Sequence, residues 1–590
     1  MSTSSPALRV GNCSGFYGDR LTAMREMLEG GSLDVLTGDY LAELTMLILF
    51  RSTMKDPTKG YATTFLRQLE DCLGLAGERD VRVVVNAGGL NPTGCADAVR
   101  ALAGRLGLDV PVASVAGSVP REALGELDPA PVTVDPYLGC WGIVDALSAG
   151  ATVVVTGRTT DAALVCGPAA WHHGWARDDW DALAGAVVAG HVLECGAQAT
   201  GGNYAFFAEV PGLDRVGFPL AEIAADGSSV ITKHPGTGGL VSVGTVTAQL
   251  LYEIDSPAYL GPDVVARFDT IELKEDGPDR VRVAGVRGAP PPATVKVSTN
   301  SVGGFRNSMS FVLCGLDIPA KAEVAKAAMA SVLDGVRGVQ WQLVRIDQPD
   351  APSEEQASAL LRCHVKDSDG NRIGRMFSSA AVEMALASYP GFTLTSPPGD
   401  ATPYGVYRPV FVDAGVVTHT VTRPDGSQVR IAATLAGQAP QAPGPQAPGS
   451  QAPGSQAPAP PTPTQQARAL AADSAASPAI RVPLGLLAGA RSGDKGGMAN
   501  LGIWTRTEEP YAWLVGYLTT DRLVELLPEA RGLSVRRYEL PNLRALNFTL
   551  DGLLGEGVAA STRFDPQAKA LGEWLRSRLV DVPAALVPPS

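Results

Sequence analysis

Residues 8–20 read L-R-V-G-N-C-S-G-F-Y-G-D-R. Leu8, Arg9 and Val10 have the character of a strand end, and residues 21–28 predict a helix. Between them Gly11, Gly15 and Gly18 fall within eight residues, with Asn12 and Ser14 interspersed and Asp19 following. The stretch is thus a glycine loop leading from a strand into a helix. Glycine lets the backbone approach a ligand closely, and the free N–H groups of a helix start favour phosphate or carboxylate. A tight turn with Asp19 as a helix cap explains the same residues. The segment alone leaves both readings open.

The pattern recurs downstream. A short apolar run at 33–36 ends at Thr37-Gly38-Asp39, before a helix at 40–50. A valine run at 81–85 ends at Asn86-Ala87-Gly88-Gly89, before a helix at 92–106. A strand at 151–155 ends at Thr156-Gly157-Arg158. Further helices are expected at 61–75, 138–148 and 179–195, and a strand at 112–115. β-Branched runs alternating with helices predict an α/β fold with a doubly wound parallel sheet covered on both faces. In such sheets ligands bind beyond the carboxyl ends of the strands. The groups expected there are Gly11, Asn12, Ser14, Gly15 and Asp19; Asp39 and Glu43; Asn86 and Asn91; and Gly157, Arg158, Thr159, Thr160 and Asp161. Together they outline one polar, anion-friendly cleft.

From about residue 196 the texture changes to mixed strands and helices, read as an α+β second lobe. The first domain then spans 1–436, with lobes at about 1–195 and 196–436. Q-A-P-G repeats at 437–478 cannot bury a core and predict an extended linker. Residues 479–590 form a tail of mixed strands and helices, expected to be a ferredoxin-like α/β sandwich. Within it, 488–497 reads as a charged glycine loop carrying Arg491, Asp494 and Lys495. Asp494 and Lys495 resemble an anion clamp, with a salt-bridged surface turn as the equal alternative.

The chain has 590 residues and a formal net charge of -13, from 48 Lys+Arg against 61 Asp+Glu. That balance argues against a nucleic-acid or polybasic membrane partner. No apolar run approaches the ~20 residues needed to span a bilayer, and the start M-S-T-S-S-P-A-L-R-V lacks a charged region followed by an apolar core. The 8 Cys are scattered without a C-x-x-C pair, as in a reduced, cytoplasmic protein. No G-x-G-x-x-G, Walker A, H-E-x-x-H or G-x-S-x-G motif is present, and no metal centre is predicted.

Six segments, G-N-C-S-G-F-Y-G-D at 11–19, T-G-D-Y-L-A-E at 37–43, N-A-G-G-L-N-P at 86–92, Y-L-G-C-W-G-I at 137–143, T-G-R-T-T-D-A-A-L-V at 156–165 and E-C-G-A-Q-A-T-G-G at 194–202, resemble the acyclic terpene utilisation protein A family. R-S-G-D-K-G-G-M-A-N-L-G at 491–502 and N-F-T-L-D-G-L-L-G at 547–555 resemble that family's ferredoxin-fold C-terminal domain. The resemblance implies a place in catabolism of acyclic terpenes such as citronellol and geraniol. There the acids are handled as CoA thioesters beside a biotin-dependent geranyl-CoA carboxylase. Cys13 and Cys140 stand where a small residue would serve, which argues against a family-wide cysteine nucleophile.

The candidate catalytic carboxylates are Asp19, Asp39, Asp161 and Glu194. Asp39 and Glu43, four apart at a helix start, would share a face and could split their pKa values; a solvated helix N-terminus is the plainer reading. Arg158 could grip an anion bidentately or simply pair with Asp161. Glu194 stands at a helix C-terminus, where a carboxylate is disfavoured. His234, beside Pro235 and Gly236, is the best-placed loop imidazole, though a lone histidine is more often structural. The expected activity is that of a hydratase or lyase acting on a branched acyl-CoA or free acid. The alternative is a non-catalytic acyl-CoA binding or assembly protein partnering an acyl-CoA carboxylase. A small-molecule ligand and self-association into a homo-oligomer are expected in either case; no cofactor is assigned beyond the CoA thioester.

Overall fold

The computed structural model describes residues 6–397, 399–434 and 478–587. The Q-A-P-G repeats expected as a linker lie outside the described residues.

Five strands form the parallel centre of an 11-stranded sheet: β1 (Leu8–Asn12), β2 (Val35–Gly38), β3 (Arg82–Gly89), β4 (Val112–Ser118) and, after β5 (Pro131–Pro136) leaves for another sheet, β6 (Val153–Gly157). Their spatial order is β1-β2-β3-β6-β4, and every pair among them is parallel. Valines fill β3 and β6 because both faces are covered. One face carries the helices Ala23–Gly30, Thr63–Glu78 and Pro92–Leu106. The other carries Trp141–Ser148, Ala163–His173 and Trp180–Leu193. Pro92–Leu106 shows why these boundaries were readable. Asn91 accepts a 2.9 Å bond from the Gly94 N–H, Pro92 occupies the first turn, and Gly107 ends the helix at φ 70°.

The expected division near residue 195 does not break this sheet. β7 (Pro219–Ile223) pairs antiparallel with β1, and β8 (Ser229–Lys233) with β7. Val281–Ala284 and Glu272–Glu275 extend that edge, while Thr418–Thr422 and Gln428–Arg430 extend the edge at β4. Residues on both sides of the boundary thus share one hydrogen-bonded layer, closed by pairings far apart in sequence. A second sheet is built on the 21-residue strand Thr294–Cys314, which pairs with β5, Ser358–Asp367 and Thr402–Asp413.

The tail holds a four-stranded antiparallel sheet, Ala488–Lys495, Met498–Thr505, Ala545–Asp551 and Ser534–Leu540 in spatial order. Residues 488–497 are therefore not a loop but a strand and the turn of a hairpin. The glycines that suggested a loop serve close packing instead: a Cβ at Gly489 would strike the Trp504 ring, and one at Gly493 the Tyr252 ring. Gly496 takes φ 67° in the two-residue turn.

This tail is docked on the first domain. Trp504, Leu540, Leu543 and Ala545 join the same apolar cluster as the helices on one sheet face. Asn542 Nδ2 donates to the Phe268 and Ile271 carbonyls at 2.8 and 2.9 Å, and Asn547 Nδ2 to the Asp255 carbonyl at 2.8 Å. Among the described residues no helix is long and apolar enough to cross a membrane.

The first glycine loop is held by backbone-to-backbone packing. A Cβ at Gly15 would lie 2.6 Å from the Cys195 carbonyl carbon and 2.8 Å from its oxygen. Gly15→Ala should therefore cost about 1–3 kcal/mol, read as a lower urea midpoint with an unchanged m-value.

Candidate active site

The carboxyl ends of β1, β2, β3 and β6 converge as expected, and a buried polar network ties them together. The Asp39 N–H donates to the Ser14 carbonyl at 2.9 Å, linking the loops after β1 and β2. Asn86 at the end of β3 donates through Nδ2 to Asp39 Oδ1 at 2.5 Å and accepts from the Tyr40 N–H at 2.7 Å. Asp39 does not share a helix face with Glu43. The helix runs Glu43–Lys55, and Asp39 lies in the loop before it, where its Oδ1 also accepts from the Leu41 N–H at 3.0 Å. The loop conformation lets its carboxylate turn inward toward Asn86.

Arg158, just past β6, is buried at the centre. Its Nη1 donates to the Leu41 carbonyl at 2.9 Å and to Asp161 Oδ1 at 3.2 Å; Nη2 donates to the Tyr137 hydroxyl at 3.1 Å. Its guanidinium lies 4.5 Å from the Tyr137 ring centre. The Asp161 contact is the pair that one reading of Arg158 expected. Tyr137 in turn donates to Glu43 Oε1 at 3.3 Å. Lys296, from the long strand Thr294–Cys314, stands 3.7 Å from the same Glu43 oxygen and 4.6 Å from the Tyr137 ring centre.

The tail supplies the opposite wall. Gly493 and Lys495 face Tyr252 and Glu253: Lys495 Nζ donates to the Glu253 carbonyl at 2.9 Å. Glu253 holds φ 56°, and its N–H donates to Asn500 Oδ1 at 2.8 Å. Asp494 instead lines a small pocket together with Glu43, Leu44, Leu47, Tyr407 and Val558. Arg491 is buried in the strand, its guanidinium 4.4 Å above the Tyr252 ring. The expected anion clamp is thus split: Lys495 and Asp494 face different walls of one cleft, because side chains alternate along a strand.

This crowding separates the protonation states. Burial, the Asp161 charge and little else push the Asp39 carboxyl well above its usual range, against the pull of Arg158 and Asn86. Burial raises Glu194 likewise, helped by Asp161 and Glu253. Burial raises Asp161 despite Arg158. Burial, Glu253 and Glu43 lift Asp494 to about 8. Burial also works on Glu43, but Lys296 and Arg158 overcome it and hold that carboxyl below its ordinary value. These groups are not sealed: the Glu43, Asp161 and Lys296 side chains keep 24, 24 and 25 % of their surface open.

Glu194 lies 3.2 Å from His191 Nδ1. That imidazole is packed against the stacked rings of Tyr259 and Phe268, and burial lowers its pKa to about 4. Thr159 is buried in the same loop as Arg158.

Other expected residues are placed elsewhere or spent on the scaffold. Asp19 accepts from the Gly15 N–H at 2.9 Å and the Arg20 N–H at 2.9 Å, closing the glycine loop. The helix cap position belongs to Thr22. Asn12 accepts from the Ser14 N–H at 2.8 Å, and Gly11 lies within β1 against Met27 and Leu33. Gly157 ends β6 beside Gly89. His234, just past β8, is buried with its ring against Gly30 and Gly31 and its Nε2 2.9 Å from the Met27 carbonyl. It lies outside the cluster because β8 stands beyond β7 from β1 and the ring is packed against the end of the helix Ala23–Gly30. Tyr137, Lys296, His191, Glu253 and Tyr259 were not anticipated. Tyr137 opens one of the family-like segments; the others carry no local signal. Among the described residues no three His, Cys, Asp or Glu side chains are grouped so as to hold a metal ion.

The folded Asp494 pKa stands above the ordinary 3.8, so between those values the folded protein holds a proton that the unfolded chain releases. Its contribution to stability is full below about pH 4 and is lost as pH rises through about 8. Asp494→Asn should therefore flatten the fall in Tm between pH 5 and pH 9, as followed by scanning calorimetry.

Comparison with known proteins places this geometry. The profile described as acyclic terpene utilisation family protein AtuA matches residues 8–423, and the AtuA ferredoxin-like domain matches 482–581. No curated protein and no solved structure matches the chain. The two profiles meet at the cleft, one bringing Asp39, Glu43 and Arg158 and the other Asp494 and Lys495, and the chain belongs to the acyclic terpene utilisation family.

Proposed function

We propose that the cleft is an active site for proton transfer next to a carbonyl, of the hydratase or lyase kind, on a branched carboxylic acid or its CoA thioester. One observation carries this reading. Glu43 and Asp494 line the same pocket, one held below its ordinary pKa and the other lifted to about 8. Two carboxyls whose environments drive their pKa values apart are suited to act as base and acid at neutral pH. The rest of the lining supports a branched apolar substrate: Leu44, Leu47, Val558 and Ala559 form its aliphatic side.

In this reading Glu43 takes the proton from the carbon beside the carbonyl. Asp494 gives a proton to the leaving oxygen, which departs as water. Lys296, against the Tyr137 ring and reachable by solvent, steadies the enolate charge. Arg158 holds Tyr137 and Asp161 in place.

The test is deuterium uptake from heavy water into the carbon beside the carbonyl of a short branched thioester, 3-methylbutanoyl-CoA, read by mass spectrometry. Glu43→Gln should slow uptake by about 10²- to 10⁴-fold. Loss of water from 3-hydroxy-3-methylbutanoyl-CoA, which carries the leaving oxygen, should fall at alkaline pH with a midpoint near about 8, and that limb should vanish in Asp494→Asn. Binding of the thioester with no uptake in the unaltered protein would overturn the reading and favour a carrier that delivers acyl-CoA to a carboxylase.

A further inference from the structure

The second sheet carries cations that no acid answers. In the strand Ser358–Asp367, Leu361, Cys363 and Val365 join an apolar cluster with the helix Ile318–Leu333. Arg362, His364 and Lys366 alternate with them and so share the opposite face. The neighbouring strand Thr294–Cys314 sets Arg306 directly across from Lys366, and the exposed Ser308 across from His364. Like charges placed directly opposite destabilise a sheet. In a chain of net charge -13, three cations thus meet on one face, with about 13 Å along the strand from Arg362 to Lys366.

The contacts of these cations leave their charge unmet. Arg306 Nη1 donates to the Ala559 carbonyl at 2.7 Å and Arg362 Nη1 to Gln342 Oε1 at 3.4 Å, while Lys366 Nζ lies 4.8 Å from the Tyr404 ring centre. Among the described residues none of the three forms a salt bridge. Burial lowers the Lys366 pKa, opposed by Glu556 and reinforced by Arg306. Burial, Arg362, Arg306 and Lys366 lower His364 to about 4, so it adds no charge near pH 7. All three cations stay partly open to solvent. An aromatic ring stands beside them. Phe564, from the tail, lies 4.1 Å by its ring centre from the Arg362 guanidinium and is still 64 % exposed.

We propose that this face binds a nucleoside diphosphate group. The phosphates sit between Arg306 and Lys366 and supply the charge that the sheet lacks, with the Ser308 hydroxyl as a further donor. The base stacks on the open face of Phe564. Ala559 joins this face to the cleft: its carbonyl holds Arg306, and it lines the pocket of Glu43 and Asp494. Two sources share this chemistry. A CoA thioester lays its nucleotide end here and passes its acyl end beyond Ala559, which rests on the proton-transfer reading above; a free nucleotide fills this face alone and does not.

The experiment is calorimetric titration of the full chain with CoA and with ADP, adenosine serving as the uncharged control. CoA should bind, and adenosine at least about tenfold more weakly. Lys366→Gln should weaken CoA by about tenfold and the exposed-site change Phe564→Ala by about fivefold, while thermal melting confirms both folds. ADP binding as tightly as CoA assigns the face to free nucleotide, and CoA binding much more tightly assigns it to the thioester; either result supports the site. Glu43→Gln should leave the affinity for CoA unchanged, so the nucleotide site and the proton-transfer reading stand or fall separately. Absence of binding by both CoA and ADP, or binding indifferent to both Lys366→Gln and Phe564→Ala, would overturn it.

Discussion

The architecture of the cleft depends on one buried cation. Arg158 spends its guanidinium on the Leu41 carbonyl, the Asp161 carboxylate and the Tyr137 hydroxyl. Each belongs to a different segment: the loop after β2, the turn after β6 and the stretch after β5. A charge so deep in the fold is tolerated only when its neighbours answer it. The acids around it are therefore a structural necessity as well as a chemical resource. Because more carboxyls than cations converge, some must stay protonated, and position relative to Arg158 and Lys296 selects which. Glu43, close to both, is held below its ordinary pKa; Asp494 and Glu194, packed among other acids, are pushed above theirs.

The tail enters this balance from outside the first domain. Lys495 brings a positive charge to Glu253, and Asp494 brings another carboxyl to Glu43. The docking that delivers them is largely apolar, through Trp504, Leu540 and Leu543. It is fixed in register by Asn500, Asn542 and Asn547 bonding to main-chain groups of the first domain. Non-directional burial supplies the adhesion, and the amides supply the alignment. A site assembled this way has no single loop that contains it.

The sequence carried the central strands clearly. Valine runs ending in glycine marked β3 and β6, and Asn91, Pro92 and Gly107 bracketed their helix at 92–106. These signals are local, so they could be read one segment at a time. The wings of the sheet were not legible, because β7 and Thr418–Thr422 acquire their places only by pairing with strands more than a hundred residues away. The same limit governed the site. Asp39, Asn86, Arg158 and Asp161 stand where strand-end reasoning put them. Lys296 and Glu253 come from a long strand and a helix exit whose nearest charged neighbours in space are remote in the chain. The tail hairpin was mistaken for a loop because glycine serves both purposes. Gly489 and Gly493 are there to admit the Trp504 and Tyr252 rings, a demand visible only once the partners are in place.

The hairpin turn at Gly496-Gly497 has two residues and no slack. Successive side chains alternate across the strand, so Lys495 and Asp494 reach opposite walls solely by their order. A one-residue slip of the pairing between Lys495 and the turn would exchange them. A carboxylate would then face the Glu253 main-chain oxygen, and an ammonium would displace the acid beside Glu43. The cleft would keep its net charge and its shape yet have its proton donor and its anchor transposed. For this segment the reading frame of the strand is itself a functional variable, more tightly constrained than the identity of most residues that surround it.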